Sequence, residues 1–183
     1  MSRKNGDWTI SGTEEKFAND YFEVNEDRVI RPDGKPDVYA TIDFKPGVSV
    51  LPIDYAGYIY LTSQFRYALG RKNVETASGA IAGDEISLDA AERELREELG
   101  IEADEWTDLG TIEADTSITN STAHLFIAEH LSFENPERES TEDIEIITMP
   151  LEEAVEKVMM GEITHDQTVV LILKAYVESE KGR

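Results

Sequence analysis

Glu94, Glu97 and Glu98 stand at positions i, i+3 and i+4 of the chain, a spacing that places three carboxylates on one face of a helix. Like charges at that spacing cost roughly 0.2–0.5 kcal/mol per pair. A hard divalent cation with oxygen ligands turns the repulsion into attraction, and magnesium suits such ligands. The flanking residues predict the helix itself over 87–99. Leu88, Ala91, Leu95 and Leu99 recur at intervals of three and four, Ser87 is placed to cap the start, and Gly100 is placed to end it. At about 100° per residue the apolar positions fall in one sector and the glutamates fan across another flank. Spacing alone, however, fits a solvated acidic face better than a metal site in so glutamate-rich a chain.

The longer string changes that weighting. From Gly79, five residues lead to Glu85 and seven more to Arg93-Glu94-Leu95-Arg96-Glu97-Glu98-Leu99-Gly100-Ile101. This resembles the signature of the Nudix hydrolases, and Gly79, Glu85, Arg93, Glu94, Leu95, Glu97, Glu98, Gly100 and Ile101 fill every specified position. The chain's own residue frequencies put a chance match on the order of one in a million. The resemblance implies hydrolysis of a nucleoside diphosphate linked to another group, at the pyrophosphate, with Mg²⁺ or Mn²⁺ as cofactor. It implies Glu94 and Glu98 as direct metal ligands, Glu97 as a ligand or water-mediated contact with a part in catalysis, and the Ser78 backbone carbonyl as a further ligand. Glu85 and Arg93 would shape the loop and helix.

Upstream, Gln64-Phe65-Arg66-Tyr67 and Val74-Glu75-Thr76-Ala77-Ser78-Gly79 look like motifs of the ADP-ribose pyrophosphatase and nucleoside diphosphate sugar hydrolase branch. Arg66 offers a planar donor fork suited to phosphate. Glu75 offers an acceptor for a ribose hydroxyl, or an orienting partner for that arginine. The chain departs from the branch at Ala77, where proline is usual, and at Thr116-Ser117, where Pro-Gly is common. The loop Thr119-Asn120-Ser121-Thr122 before His124-Leu125-Phe126 still resembles it. The branch often draws its general base from a glutamate well after the signature. Glu134, Glu137, Glu139, Glu142 and Glu145 crowd that segment; Glu142 sits best on the pattern, with Glu139 and Glu145 as alternatives. His124, His130 and His165 are too scattered for a histidine metal site and read as structural. Trp8 could stack on a nucleobase, as N-terminal aromatics of related enzymes do, or simply pack.

These groups need a scaffold, and 183 residues supply one globular body. Its 39 acidic against 17 basic side chains give a net charge of -22, which argues against nucleic acid or an anionic membrane as partner. An anionic substrate must then be met by local positive charge or metal. There is no cysteine, so disulfides, thiolate sites and cysteine nucleophiles are excluded. The polar stretch behind Met1 and the lack of a long apolar run are read as no signal and no span, hence a cytoplasmic protein.

Residues 1–45 are expected to form an N-terminal β extension and dimerisation element, and 46–183 the hydrolase domain. In the first, Arg28 to Arg31, the turn Pro32-Asp33-Gly34-Lys35 and Val38 to Phe44 read as a hairpin. In the second, Val48 to Ile53 and Tyr58 to Thr62 read as two paired strands. Strands follow at Thr107 to Ala114, Ala123 to Glu129 and Ile144 to Met149. Pro150 introduces a helix near Leu151, and a last helix over Gln167 to Ser179 buries Val169, Val170, Ile172, Leu173 and Tyr176. The expected class is α/β, a Nudix fold: an α/β/α sandwich with a mixed sheet and an N-terminal β-rich extension. The expected reaction is Mg-dependent hydrolysis of ADP-ribose or a related nucleoside diphosphate sugar by a homodimer. Preference for GDP-mannose, nucleoside triphosphate hydrolysis and a non-catalytic ligand-binding regulator are the alternatives.

Overall fold

The computed structural model describes residues 2–136 and 144–181. In chain order the strands are β1 (Arg3–Asn5), β2 (Trp8–Ala18), β3 (Phe22–Ile30), β4 (Pro36–Phe44), β5 (Gly47–Pro52), β6 (Tyr58–Arg66), β7 (Arg71–Glu75), β8 (Ala77–Ala80), β9 (Ile101–Glu113), β10 (Thr119–Asn120), β11 (Thr122–Phe133) and β12 (Ile144–Pro150). The helices are α1 (Ser87–Glu94), which runs on as a π-helical turn over Leu95–Leu99, then α2 (Leu151–Met159) and α3 (Asp166–Lys181). Two compact units result: Met1–Lys45 with Glu113–Thr122, and Pro46–Ile112 with Ala123–Arg183.

The first unit is a sheet in the order β1-β2-β3-β4-β10. The expected hairpin is present: β3 and β4 pair antiparallel from Phe22↔Phe44 to Ile30↔Pro36. Gly34, at φ +80°, closes the turn by donating its N–H to the Arg31 carbonyl at 2.9 Å. Strand β2 was not expected. It carries no clean alternation of apolar and polar residues, and only Ile10 along it is fully buried. Its hydrogen bonds to β3 hold it through two register shifts, at Ile10/Gly12 and Glu15/Phe17.

The second unit has two sheets, a mixed one ordered β8-β5-β11-β9 and an antiparallel one ordered β12-β6-β7. Strands β5 and β11 run parallel, Val48 opposite His124 and Val50 opposite Phe126. Successive residues of these two strands feed opposite cores. Val48, Val50, Phe126 and Ala128 pack with Ala90, Ala91, Leu95 and Leu99 of the first helix and its π turn. Leu51, Leu125 and Ile127 pack with Leu151 and Ala154 of α2 and Leu171, Ile172 and Ala175 of α3. A sheet covered on both faces explains their near-continuous apolar runs, and it makes the α/β/α sandwich.

Three local expectations are corrected. β5 and β6 do not pair along their length; they lie in different sheets, and an isolated bridge, Ile53↔Ile59, joins β6 to the residue just after β5. Both runs are apolar because both are buried, and burial does not specify a partner. Ser87 is the first helical residue and not the cap; Ile86 occupies the cap position without a side-chain hydrogen bond. The helix over 87–99 stays α only to Glu94. Gly100 does end it, at φ +65° in the left-handed region. On α3 the fully buried positions are Thr168, Leu171, Ile172 and Ala175, with Val169, Val170, Leu173 and Tyr176 half-buried.

Candidate active site

The site is assembled around Arg93, near the end of α1. Its guanidinium donates from Nε and Nη2 to the two Glu85 carboxylate oxygens, at 3.0 and 3.1 Å. Nη1 reaches Glu94 Oε1 at 2.6 Å and Glu97 Oε2 at 3.2 Å, and Nη2 also reaches the Ala80 carbonyl at 3.1 Å. One cation therefore gathers three carboxylates from the loop, the helix and the π turn. Arg93 holds its proton more tightly than a free guanidinium, chiefly through Glu85. The Glu85 carboxyl is held below the usual carboxylate range by Arg93 and then by the Ala82 N–H, which donates to Oε2 at 3.0 Å.

The π turn places the third acid of the string apart from this cluster. Wider winding is a recurrent feature of functional helices, and here it carries Glu98 onto strand β8. Glu98 is 7% exposed, and its Oε2 accepts the Ser78 N–H at 3.2 Å. Beside it, Gly79 allows the Glu94 carboxylate to lie against the strand, because a Cβ at 79 would overlap Glu94 Oε1. Gly100 serves a second close approach: a Cβ there would lie 2.5 Å from the Glu134 carbonyl and 2.7 Å from Pro136 N.

Ser78, Glu94, Glu97 and Glu98 thus lie on one strand and one helix end, Glu94 and Glu97 on Arg93 and Glu98 on the Ser78 N–H. Among the described residues no three acidic or histidine side chains converge as a closed metal cage; Glu94 and Glu97 are turned to Arg93. The donor set is nonetheless all oxygen, from carboxylates and a backbone carbonyl on adjoining elements, which is what a hard divalent cation takes.

Arg66 and Glu75 are brought together on neighbouring strands. Arg66 donates Nε to Glu75 Oε1 at 3.0 Å and Nη2 to Oε2 at 2.6 Å. Asn73 Nδ2 adds a third donor to Oε1 at 3.0 Å. Burial pushes the Glu75 carboxyl up, but Arg66, His165 and Asn73 together outweigh it, so it sits below its usual value. Of the two readings of Glu75, the orienting partner is the one with a direct contact.

Glu139 and Glu142 lie outside the described residues. Glu145 lies on β12, 65% exposed, paired with Lys72 at 3.1 Å. His124 is half-buried on β11, and His130 is an exposed partner of Glu105 at 3.6 Å. His165 differs from these. Its Nε2 is 3.9 Å from Glu75 Oε2, and its Nδ1 is 2.9 Å from Thr168 Oγ1. No local pattern announces the contact with Glu75, because that residue lies some 90 positions earlier in the chain. In the first unit Trp8 packs edge-on to Tyr39 at 5.6 Å. Both line a cavity of about 310 Å³ with Asp27, Asp43 and Asn120.

A NUDIX domain model matches residues 43–170, and a nucleoside diphosphate sugar hydrolase N-terminal domain model matches residues 8–42. The chain is 29% identical over 174 residues to the ADP-ribose pyrophosphatase of Bacillus subtilis (strain 168), covering 92% of this chain and 94% of that one. It is 26% identical over 174 residues to the ADP-ribose pyrophosphatase of Mycobacterium tuberculosis, covering 93% and 84%. A solved ADP compounds hydrolase shares the fold, with a TM-score of 0.84 at 20% identity and 98% of both chains covered. Members of the matched family generally use a divalent metal, and the match takes in every residue of the Arg93 cluster: the chain belongs to the Nudix hydrolase family.

Proposed function

We propose that this hydrolase cleaves the pyrophosphate of ADP-ribose or a related nucleoside diphosphate sugar, releasing a nucleoside monophosphate and a sugar phosphate. The observation that carries the reading is the carboxylate set of α1 and its π turn, gathered by Arg93 and set against Ser78 and Gly79. Glu94, Glu97, Glu98 and the Ser78 carbonyl would hold Mg²⁺, or Mn²⁺ in its place. The bound metal supplies Lewis-acid polarisation of the phosphoryl oxygens and acidifies a water.

The chain's own groups do the rest. A water oxygen forms a bond to one phosphorus as the bridging P–O bond breaks, and the departing phosphate leaves as the anion. The water's proton passes to a carboxylate: Glu142 is proposed, with Glu97 on the π turn as the competing base. Glu145 is less suited, being tied to Lys72 on an exposed strand. If Glu142→Gln leaves the rate within a few fold while Glu97→Gln collapses it, the base belongs to the helix. Arg66 presents its guanidinium to phosphate while Glu75 orients it.

The 1–45 segment is proposed as a dimerisation element ahead of the 46–183 hydrolase domain. Its exposed Phe17, Tyr21 and Phe44 support this; a monomeric mass by light scattering at micromolar concentration would oppose it. A cytoplasmic setting fits the absence of cysteine, and no described helix is long and apolar enough to cross a membrane.

The reaction is tested by chromatography of ADP-ribose and GDP-mannose incubations, each with and without Mg²⁺. AMP with ribose 5-phosphate appearing only with metal is the expected result. Preferential GMP with mannose 1-phosphate would move the substrate, turnover of nucleoside triphosphates alone would move the reaction, and binding without turnover would make the chain a regulator.

A further inference from the structure

Glu75 is an anchor and Arg66 is what it holds out. The Glu75 side chain is 5% exposed and the Arg66 side chain 38%. A carboxylate taken that far from water must be met by donors on every side. Two come from Arg66 and one from Asn73. The fourth direction, toward Oε2, is faced by His165 Nε2, which also lies 3.6 Å from Asp166 Oδ1.

The ring is not free to choose this orientation. Its Nδ1 meets Thr168 Oγ1 at 2.9 Å, and Thr168 is fully buried at the first turn of α3. Thr168 Oγ1 in turn accepts the Thr76 backbone N–H at 2.8 Å and lies 3.1 Å from Thr76 Oγ1, which is 2.6 Å from Ser49 Oγ. The chain of contacts thus runs from the β5 interior through the β7–β8 junction to the ring, and from the ring to the carboxylate. Proton placement follows from charge. Nε2 faces two carboxylate oxygens, so it carries hydrogen; in the neutral ring Nδ1 is then the acceptor, and the Thr168 hydroxyl donates to it. The opposite tautomer would set an imidazole lone pair against two anions.

We propose that His165 is a positioning residue for substrate binding: its Nε2–H steadies the Glu75 carboxylate, and through it the Arg66 fork that receives the substrate's phosphate. The inference rests on Arg66 being a substrate contact, as proposed above. His165 touches neither substrate nor metal in this account, so its removal acts on binding and leaves the chemical step in place.

The test measures kcat and KM for ADP-ribose at fixed Mg²⁺ in the full-length wild type, His165→Leu, His165→Gln and Glu75→Gln, with a melting temperature for each. His165→Leu is expected to raise KM about tenfold, the lower end of what losing an orienting partner costs, with kcat within about twofold. His165→Gln, which keeps an N–H near the Nε2 position, is expected to bring KM back to within about threefold of wild type, and Glu75→Gln to raise KM at least as far as His165→Leu. Nitrogen-15 correlation of the wild-type ring, which needs no turnover, is expected to show hydrogen on Nε2. A raised KM in Glu75→Gln with none in His165→Leu would overturn the inference and leave Arg66 as a substrate contact. No change in either would overturn both. Equal losses in the Leu and Gln variants that track a lower melting temperature would make His165 a packing residue, and a ring carrying hydrogen on Nδ1 alone would remove its grip on Glu75.

Discussion

The two arginine–carboxylate assemblies of the second unit are built in opposite proportions. At Arg93 one guanidinium is shared among Glu85, Glu94 and Glu97. At Glu75 one carboxylate is shared among Arg66, Asn73 and His165. The second is buried, hydrogen-bonded from several sides and suited to holding a fixed geometry. The first is rich in hard oxygen donors relative to its one guanidinium, the condition under which a divalent cation is welcome. The proposed metal-holding surface and the proposed substrate-holding fork thus differ in stoichiometry before any ligand is considered.

The contrast is open to attack. Gly79→Ala inserts a methyl group into the space of the Glu94 carboxylate. Because the displaced atoms are the far end of a side chain, the fold survives and the donor set does not. Activity is expected to fall about 100-fold, as for a misplacement of about 1 Å, with the melting temperature nearly unchanged. A stability loss in step with the activity loss would show that the Glu94 packing is structural.

Gly100→Ala should do the reverse. The new Cβ meets the Glu134 carbonyl and Pro136 N, both main chain, from a left-handed backbone. A loss of about 1–3 kcal/mol in denaturant unfolding is expected. A neutral outcome would mean that the 134–136 segment gives way.

The smallest effect is a pH dependence. The Glu75 carboxyl is lowered from its ordinary 4.5. Its stabilising contribution is therefore complete above that value and is lost as pH falls through the depressed one. Melting temperature measured from pH 7 to pH 3 should fall less steeply in Glu75→Gln than in wild type; parallel profiles would show that the carboxylate is not held as described.

Much of this was legible in the residues. The nine signature positions located the Arg93 cluster, and Gly100 marked the helix end, because only glycine tolerates that backbone conformation at little cost. The pairing of Arg66 with Glu75 was one of two readings offered for Glu75. The π turn was not legible, since Leu95 and Leu99 suit either winding and the choice is made by packing into the core with Ala90 and Phe126. Nor was β2, whose residues are mostly exposed and whose place is set by main-chain bonds to β3. His165 escaped for a third reason: Thr168 is near it in sequence, but Glu75 is on β7 and only the folded chain brings it to the ring.

The carboxylates at the end of α1 are proposed to carry the metal that hydrolysis needs. The most direct measurement follows AMP release from ADP-ribose as Mg²⁺ is titrated, for wild type and Glu98→Gln side by side, with circular dichroism of both. Wild-type turnover that rises with Mg²⁺ and a variant slower by about 10³-fold, at an unchanged spectrum, is the expected result. Near-normal turnover by a folded Glu98→Gln variant would contradict the account.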